Sequence, residues 1–230
     1  RSPSLVESSS GESNIVYVFD TSKGKVIVKT KNPVMRWNNL KREYDVLKIL
    51  FDRRVNISPT PYDYNESVLG NPTEVIEYLE GETLAQGQTK RLEDVACLAK
   101  RMHALENIPS MDSNYESYRD FLLEIESYVA MRMEELSEFE IPSEIMETLR
   151  KIVLRSNDRI RDRQKYFSGK NLTFCHKDFK PDNIVVSSQG EIKAIDWEYA
   201  TICDPAFDLA LFANGMGLSP KLRNAFIDSY

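Results

Sequence analysis

A short polar stretch in the last third of the chain constrains its fold and chemistry more than any other feature. Residues Cys175–Asn183 read CHKDFKPDN and have the form H-x-D-x-K-x-x-N. A further aspartate, Asp196, ends an apolar, strand-like run that follows this stretch. Pro-Asp-Asn also favours an ordinary surface turn. A turn alone, however, does not explain why these polar residue types occur in this order.

The same residues match the few protein groups that phosphoryl transfer from a nucleotide requires. Asp178 is the candidate base that accepts the proton of the attacking hydroxyl group. Asn183 and Asp196 are candidate ligands of Mg²⁺. Lys180 would offset negative charge on the moving phosphoryl group. The spacing therefore predicts a loop that carries the base and a nearby strand end that carries a metal ligand.

The stretch Cys175–Asn183 resembles the catalytic loop of protein kinases. Two following segments, Ile195–Ala200 and Asp204–Ala210, more narrowly resemble the aminoglycoside phosphotransferase and choline kinase family. That family shares the protein-kinase-like fold but phosphorylates small molecules. A protein kinase would carry D-F-G followed by a long activation segment and A-P-E. This chain has D-W-E at Asp196, no A-P-E, and 34 residues (230 minus 196) after that aspartate. The resemblance extends from Ser4 to about Phe212.

The resemblance implies an α+β, protein-kinase-like fold with two lobes. Residues 1–80 would form a small antiparallel β-rich lobe that binds the nucleotide. Residues 81–230 would form a larger, mostly helical lobe with the catalytic and acceptor sites. The residue pattern agrees, because strand-like alternation dominates before Gly81 and helical spacing of apolar residues dominates after it.

Individual segments have clear secondary-structure signals. Alternation and turn residues predict three hairpins, which are formed by 15–19 with 25–29, by 67–69 with 73–78, and by 183–186 with 191–195. Apolar spacing predicts helices over 40–50, 92–105 and 117–136, from Pro142 to about Arg155 or Tyr166, and from Pro205 with Asp204 as its cap.

On the nucleotide side, Lys29 ends a predicted strand. The resemblance implies that Lys29 reaches the α- and β-phosphates and that Glu43, on the next helix, orients it. Strand alternation puts Ile27 on the same face as Lys29, so Ile27 would cover the adenine. The alternative for Glu43 is a solvated ion pair with one of the basic residues Lys41, Arg42 or Lys48.

The predicted phosphate loop departs from the protein-kinase pattern. Glu7–Asn14 contains one glycine instead of G-x-G-x-x-G, and Ser10 and Gly11 are its candidate phosphate-binding residues. The segment Ile76–Leu84 resembles the interlobe hinge of the family. Its backbone groups near Glu77 and Leu79 would pair with the adenine edge. The choice between ATP and GTP stays open.

Further candidates surround the catalytic loop. The resemblance implies that His176 and Asp208 support the loop. Glu198 and Asp204 would face the acceptor and contact a cationic group, or else lie in a solvated turn. Trp197 would form part of a box around a quaternary ammonium ion, with packing beneath the metal-binding strand as the alternative.

Composition excludes several classes of function. The net charge of −6 argues against non-specific nucleic-acid binding. No apolar run approaches the roughly 20 residues of a membrane span, so we expect no membrane insertion. Three cysteines, an odd and sparse set, fit a reducing cytoplasm better than a disulfide framework. Two histidines and scattered cysteines do not predict a zinc site.

These observations predict an Mg²⁺-dependent phosphotransferase that moves the γ-phosphoryl group of ATP or GTP to a hydroxyl group of a small molecule. The segment after Asp196 favours an amino alcohol such as choline, ethanolamine or thiamine, while an aminoglycoside or sugar acceptor stays open. A serine/threonine protein kinase and a nucleotide-binding pseudoenzyme are the alternatives. The sequence leaves the acceptor, the oligomeric state and the completeness of either end of the chain open.

Overall fold

The structure, a computed structural model, describes residues 2–10, 14–33, 39–68, 70–84, 89–108, 141–163 and 172–230, with isolated positions between 127 and 136. The strands in these ranges are β1 Ser4–Ser10, β2 Asn14–Thr21, β3 Gly24–Lys31, β4 Pro61–Val68, β5 Asn71–Glu77, β6 Gly81–Thr83, β7 Thr173–Cys175, β8 Ile184–Ser187, β9 Ile192–Ala194 and β10 Thr201–Cys203. The helices are α1 Leu40–Asp52, α2 Leu92–His103, α3 Ser143–Arg163, α4 Ala206–Gly215 and α5 Pro220–Ser229.

The N-terminal part is an antiparallel sheet with the strand order β1-β2-β3-β5-β4. The predicted hairpin of β2 and β3 is confirmed. The predicted phosphate loop Glu7–Asn14 is wrong in extent, because β1 runs to Ser10, which pairs with Ile15. Every residue of β1 is exposed, so backbone pairing with β2 holds this edge strand without any apolar alternation. The periodicity on which strand prediction depends is therefore missing.

The second hairpin is confirmed, but its first strand begins at Pro61 rather than near Ser67. This outer strand is mostly exposed, which hides its start from a search for apolar alternation. On its other side, β5 pairs with β3, and this register places Lys29 directly opposite Glu74.

Helix α1 covers the sheet and confirms the predicted helix over 40–50. Its fully buried leucines are Leu40, Leu47 and Leu50. Burial of a leucine side chain contributes about 1.5–3 kcal/mol, so these residues anchor the helix firmly. Glu43 lies on the same buried face with no exposed surface. An acidic side chain on such a face requires a charged partner.

The remaining part of the chain combines helices with short strands. Helix α2 buries the apolar face predicted for 92–105, and α3 matches the helix predicted from Pro142. The predicted helix over 117–136 lies outside the described residues, apart from isolated helical positions. The hairpin of β8 and β9 is confirmed, and β6 joins it beside β8. A side chain at Gly81 would place its Cβ 2.4 Å from the Val186 carbonyl oxygen, so this pairing requires glycine.

The three cysteines are free thiols. Cys203 is a buried residue of β10, which pairs with β7. Cys97 lies on the exposed side of α2. Strands as short as β10 contain too few residues for a periodic signal.

One continuous apolar core joins the two parts. It extends from Leu47 and Ile76 in the sheet region to Phe174 and Phe212 in the C-terminal part. Backbone pairing also links the two parts, since the Ala194 N–H donates to the Ile57 carbonyl at 2.8 Å. Among the helices within the described ranges, none combines the length and apolar character needed to cross a membrane.

Candidate active site

The loop after β7 owes its shape to a buried aspartate of α4. Asp208 accepts hydrogen bonds from the backbone N–H groups of His176 and Lys177, both at 2.8 Å. Lys177 has a left-handed backbone conformation, with φ of 65°. This conformation is unfavourable for a residue with a side chain, and the surrounding contacts must hold it in place. Asp208 thus orients the segment that leads into Asp178.

His176 connects the loop to the strand end that carries Asp196. Its Nδ1 accepts a hydrogen bond from the Asp178 N–H at 3.3 Å, and its Nε2 lies 2.9 Å from the Ile195 carbonyl oxygen. Burial lowers the pKa of His176, so the imidazole is neutral at pH 7. These partners assign the proton to Nε2, which donates to Ile195.

Asp178 accepts hydrogen bonds from two other candidate residues through one oxygen. Its Oδ2 lies 2.7 Å from Asn183 Nδ2 and 2.8 Å from Lys180 Nζ. Partial burial would lower the pKa of Lys180, but the Asp178 carboxylate raises it. The Lys180 ammonium therefore stays charged. Both described bonds go to Oδ2. Asp178 Oδ1 is therefore the candidate oxygen for accepting a hydroxyl proton.

The Asn183 amide group is fixed by hydrogen bonds to Asp178. Its amide nitrogen donates to Asp178 twice, to Oδ2 and to the backbone carbonyl oxygen at 2.9 Å. The amide oxygen is therefore the atom that remains for a cation. The Asn183 carbonyl accepts the Ile195 N–H at 2.9 Å, which places the residue beside the strand end that carries Asp196. An amide oxygen and a carboxylate are the hard oxygen donors that Mg²⁺ prefers.

Lys29 lies between Glu43 and Asp196. Its Nζ is 2.7 and 2.8 Å from the two Glu43 carboxylate oxygens and 3.1 Å from Asp196 Oδ1. Burial alone would lower the pKa of Lys29, but the charges of Glu43 and Asp196 raise it. Burial likewise opposes ionisation of Asp196, yet Lys29 holds the pKa of Asp196 below its usual value. The solvated surface pair considered for Glu43 does not occur, since Glu43 is fully buried.

Asp196 also has a left-handed backbone conformation, with φ of 68° and ψ of 60°. The backbone of the following residue is anchored to α1, because the Trp197 N–H donates to Glu43 Oε1 at 3.3 Å. Glu43 therefore holds both Lys29 and the turn after Asp196.

Arg42, predicted only as a possible surface partner of Glu43, has a different partner in the structure. The Arg42 guanidinium donates to the Ala200 carbonyl oxygen through Nε at 3.1 Å and Nη2 at 2.7 Å. This forked contact fastens α1 to the segment after Asp196. In the sequence, Arg42 is noticeable only because it precedes Glu43. That position does not reveal that the partner of Arg42 is a backbone carbonyl.

The predicted hinge borders a cavity of about 250 Å³. Hinge residues Glu77–Glu80 line one side of it, and Val185 and Lys193 of the β8–β9 hairpin line another. The Glu77 carboxylate already accepts the N–H and hydroxyl of Thr60 at 2.9 and 3.0 Å. Its side chain is thus occupied, so a role of Glu77 and Leu79 toward adenine would use their backbones.

Of the remaining nucleotide-side candidates, the structure describes Ile27 and Ser10. Ile27 is half-buried and packs against the apolar core, on the strand that carries Lys29. Ser10 ends the exposed strand β1. Gly11 lies outside the described residues.

The predicted contact of Trp197 with an acceptor is wrong. The ring is fully buried, stacks on Phe174 with centroids 5.9 Å apart, and donates its indole N–H to the Ala194 carbonyl oxygen at 2.8 Å. Glu198 is also buried, so the solvated-turn alternative for it is wrong. Asp204 Oδ1 accepts the Ala206 N–H at 2.9 Å, which matches its predicted place at the start of α4.

A second buried network lies behind the catalytic loop. His103 Nε2 is 3.1 Å from Asp208 Oδ2, and His103 Nδ1 is 2.9 Å from the Tyr230 hydroxyl. Burial opposes protonation, but the hydrogen bond to Asp208 raises the pKa of His103 to about 9. The Cys175 thiol also lies within 4.8 Å of this pair. Because the Asp208 oxygens and both His103 nitrogens already have partners, the cluster is a hydrogen-bond network rather than a vacant zinc site.

Comparisons with known proteins identify the family of this chain. The model of the phosphotransferase enzyme family matches residues 4–230, and the chain belongs to this family. No curated protein matches the chain at the sequence level.

Solved structures share its kinase-like fold. The choline kinase LicA of Streptococcus pneumoniae, a structure of which contains AMP, has a TM-score of 0.70 and 22% identity, with 98% of this chain and 75% of that protein covered. The ethanolamine kinase of Plasmodium vivax has a TM-score of 0.67 and 19% identity over 100% and 67% of the two chains. Aminoglycoside phosphotransferase APH(3'')-Id of Streptomyces rimosus has a TM-score of 0.67 and 18% identity over 99% and 85%.

Proposed function

We propose that this member of the phosphotransferase enzyme family transfers the γ-phosphoryl group of ATP or GTP to a hydroxyl group of a small molecule. The observation that carries this proposal is the convergence of two hydrogen-bonded groups, Asp178 with Asn183 and Lys29 with Asp196. His176 joins them by bonding the backbone on both sides. The candidate base, the candidate metal ligands and the candidate phosphate-binding lysine thus lie in one hydrogen-bonded network.

On the nucleotide side, Lys29 is the candidate phosphate ligand. Glu43 fixes the direction of its ammonium group, and the neighbouring carboxylates keep it charged. The adenine would lie between Ile27 and the hinge, where backbone groups near Glu77 and Leu79 pair with its edge. Ser10 and Gly11 remain candidates for contacts with the phosphates.

On the acceptor side, Asp178 would orient the attacking hydroxyl and take its proton as the new bond forms. Lys180 bonds the same carboxylate and places a positive charge beside the reacting groups. The protein does little covalent chemistry in such transfers. Positioning of the two substrates and stabilisation of charge on the phosphoryl group therefore provide most of the catalysis.

Asn183 and Asp196 would hold Mg²⁺ together with phosphate oxygens. The ion would neutralise charge on the phosphates. His176 and Asp208 support this arrangement from behind by fixing the backbone between the base and the metal ligands.

We propose an amino alcohol such as choline, ethanolamine or thiamine as the acceptor, with aminoglycosides or sugars as the second candidate. Fold similarity to choline and ethanolamine kinases is compatible with this choice, and similarity to an aminoglycoside phosphotransferase is equally compatible with the second candidate. Glu198 and Asp204 add carboxylates after Asp196, and the net charge of −6 suits a cation. Trp197 takes no part, because its ring is buried.

We also propose a lobe boundary and a cellular compartment for this protein. The boundary between a nucleotide-binding lobe and a catalytic lobe lies near residue 80, since β6 beyond it pairs with β8. The unpaired thiols are consistent with a reducing cytoplasm.

The test is nucleotide consumption with a panel of acceptors. Purified protein with Mg²⁺ and either ATP or GTP is given choline, ethanolamine, thiamine, aminoglycosides, neutral sugars and a serine/threonine peptide. The expected result is product formation with an amino alcohol, which Glu198→Gln weakens. Preference for a neutral sugar would contradict the acceptor class alone. Turnover of the peptide would favour a protein kinase, and binding of nucleotide without turnover on any acceptor would favour a pseudoenzyme.

A further inference from the structure

Glu74 is a buried carboxyl group for which the reaction described above has no use. It lies in β5 opposite Lys29 of β3 and has no exposed surface. As a carboxylate, neither of its oxygens has a hydrogen-bond partner among the described residues. A buried ionised carboxylate without a partner is strongly unfavourable, so such a group takes up a proton or finds a cation.

The nearest cation cannot bind Glu74. An ammonium group has three N–H donors. Lys29 directs them to Glu43 Oε1, Glu43 Oε2 and Asp196 Oδ1. Polar groups from four elements surround Glu74. They are Lys29 of β3, Glu43 of α1, Tyr64 of β4 and Asp196 of the segment after β9.

Carboxyl groups outnumber the cation in this cluster, so protonation of one of them lowers the excess of negative charge from two to one. Three carboxyl groups, of Glu43, Glu74 and Asp196, surround the one ammonium of Lys29. Glu43 and Glu74 are in contact, and two carboxylates can share a hydrogen bond only through a proton. Lys29 bonds Glu43 and Asp196 directly, which favours their ionised forms. The proton therefore belongs on Glu74.

The ionisation tendencies of these groups agree with this assignment. Burial, together with the charge of Glu43, raises the pKa of Glu74 to about 9. Burial raises the pKa of Glu43 as well, but there the Lys29 ammonium opposes the shift.

We propose that Glu74 is a positioning residue of the nucleotide site, a neutral carboxylic acid that donates its proton to Glu43 and so holds the Glu43 carboxylate against Lys29. This inference rests on the proposed function, because the consequence concerns nucleotide phosphates. Ionised Glu74 would place another negative charge beside Lys29, where it would repel the phosphates and compete for the ammonium. Neutral Glu74 orients Glu43 without repelling the phosphates or competing for the Lys29 ammonium.

The first test measures protonation without any nucleotide. The unfolding equilibrium of the wild type and of Glu74→Gln is compared from pH 6 to pH 9, with Glu66→Gln, an exposed carboxylate of the neighbouring strand, as the control. Between pH 6 and about pH 8, folded Glu74 keeps its proton, whereas unfolded Glu74 has lost it. The wild-type folding constant should therefore fall relative to Glu74→Gln by about tenfold per pH unit. The slope decreases near pH 9, where folded Glu74 begins to ionise. Parallel profiles of the wild type and Glu74→Gln would overturn the proposal.

The second test measures the consequence for nucleotide binding. The dissociation constant of a non-hydrolysable ATP analogue with Mg²⁺ is measured from pH 7 to pH 10. Affinity of the wild type should fall about fivefold or more as pH rises through 9, a typical coupling between neighbouring sites. Affinity of Glu74→Gln, whatever its value at pH 7, should not follow that profile. Glu74→Leu, which has no donor for Glu43, should bind more weakly than Glu74→Gln at pH 7.

The outcomes separate this inference from the proposed function. Normal nucleotide binding with parallel pH profiles for the wild type and Glu74→Gln would overturn the role of Glu74 alone. Absence of nucleotide binding by the wild type at pH 7 would contradict the proposed function and, with it, the positioning role. The unfolding measurement would still report whether Glu74 holds a proton.

Discussion

The Nζ atom of Lys29 lies 3.1 Å from Asp196 Oδ1, although the two residues are 167 positions apart in the chain. This contact brings the C-terminal half of β3 to the segment that follows β9. Glu43 completes the arrangement by bonding both Lys29 and the Trp197 N–H. The residues that would hold phosphate and metal thus belong to one bonded network, an arrangement that favours electrostatic preorganisation.

Asp178→Asn should reduce transfer to the acceptor by about 10²–10⁴-fold while nucleotide affinity stays close to that of the wild type. The amide keeps the size of the side chain but cannot accept the hydroxyl proton. Single-turnover rates and a nucleotide binding titration measure the two effects. The control is Asp182→Asn, an exposed aspartate of the same loop. Wild-type turnover by Asp178→Asn would show that the base is misassigned.

Asp196→Ala and Asn183→Ala should each raise the Mg²⁺ concentration required for ATP binding. Each removes one hard oxygen donor, and Mg²⁺ is held by few protein ligands in such sites. Nucleotide affinity is titrated against Mg²⁺, with Asp182→Ala as the control. If both variants have the Mg²⁺ dependence of the wild type, these residues do not hold the ion.

Lys29→Met should lose far more activity than Lys25→Met. Lys29 is buried and bonds Glu43, whereas Lys25 is exposed on the same strand, with its Nζ 5.1 Å from the centre of the Tyr78 ring. Steady-state kinetics with the nucleotide as the varied substrate makes the comparison. Equal losses would mean that the ammonium of Lys29 has no special role toward the phosphates.

Arg42→Ala should destabilise the protein by about 1.5–3 kcal/mol, the contribution typical of hydrogen bonds from charged groups, and should also lower activity. Without the guanidinium, the Ala200 carbonyl oxygen loses both described bonds and α1 is no longer fastened to the segment after Asp196. Denaturant unfolding and kinetics measure the two effects.

Lys41→Ala is the control for Arg42, since it removes an exposed pair with Asp45 and a contact with the Tyr64 ring, 5.8 Å from the ring centre. That pair should contribute about 0.3–0.5 kcal/mol. Arg42→Lys cannot make the forked contact, so its stability should lie between those of the wild type and Arg42→Ala. An effect of Arg42→Ala no larger than that of Lys41→Ala would contradict the role of this contact.

His103 should stabilise the protein in a pH-dependent manner. Its pKa is raised to about 9 in the folded protein by Asp208, above the ordinary value of 6.5. The folded state therefore holds the proton more tightly than the unfolded state. The stabilisation is fully present below about pH 6.5 and is lost as pH rises through 9, by about 1.4 kcal/mol per pH unit.

Comparison of His103→Gln with the wild type tests this expectation. The difference in unfolding free energy between the two proteins should be largest near pH 6 and should shrink toward pH 9.5. A difference that does not change with pH would mean that His103 stays neutral in the folded protein.

Local sequence patterns predicted the elements whose signals lie within a few residues of one another. The loop that carries Asp178 and Asn183 could be identified because its residue types and spacing are contiguous in the chain. The hairpin of β2 and β3 followed from alternation, and α1 from its apolar spacing. Lys29 and Glu43 were paired through the family resemblance, and their distance agrees with that pairing.

Elements without a periodic signal could not be found in this way. Strand β1 is exposed throughout, so it depends on backbone pairing that any polar sequence can make. Strands β6 and β10 have three residues each, which is too short for alternation to be recognised. The burial of Trp197 depends on stacking against Phe174, which is distant in the sequence.

The sequence by itself determined which chemistry can be proposed for this protein, because the candidate base and metal ligands are recognisable by residue type and spacing, and the candidate phosphate-binding lysine by the family resemblance. Only the tertiary structure decided which other side chains share that site. Sheet register placed Glu74 opposite Lys29, and helix packing brought Arg42 to the Ala200 carbonyl. The physical reason is that register and packing depend on contacts between distant parts of the chain, whereas local periodicity reports only the face on which a residue lies.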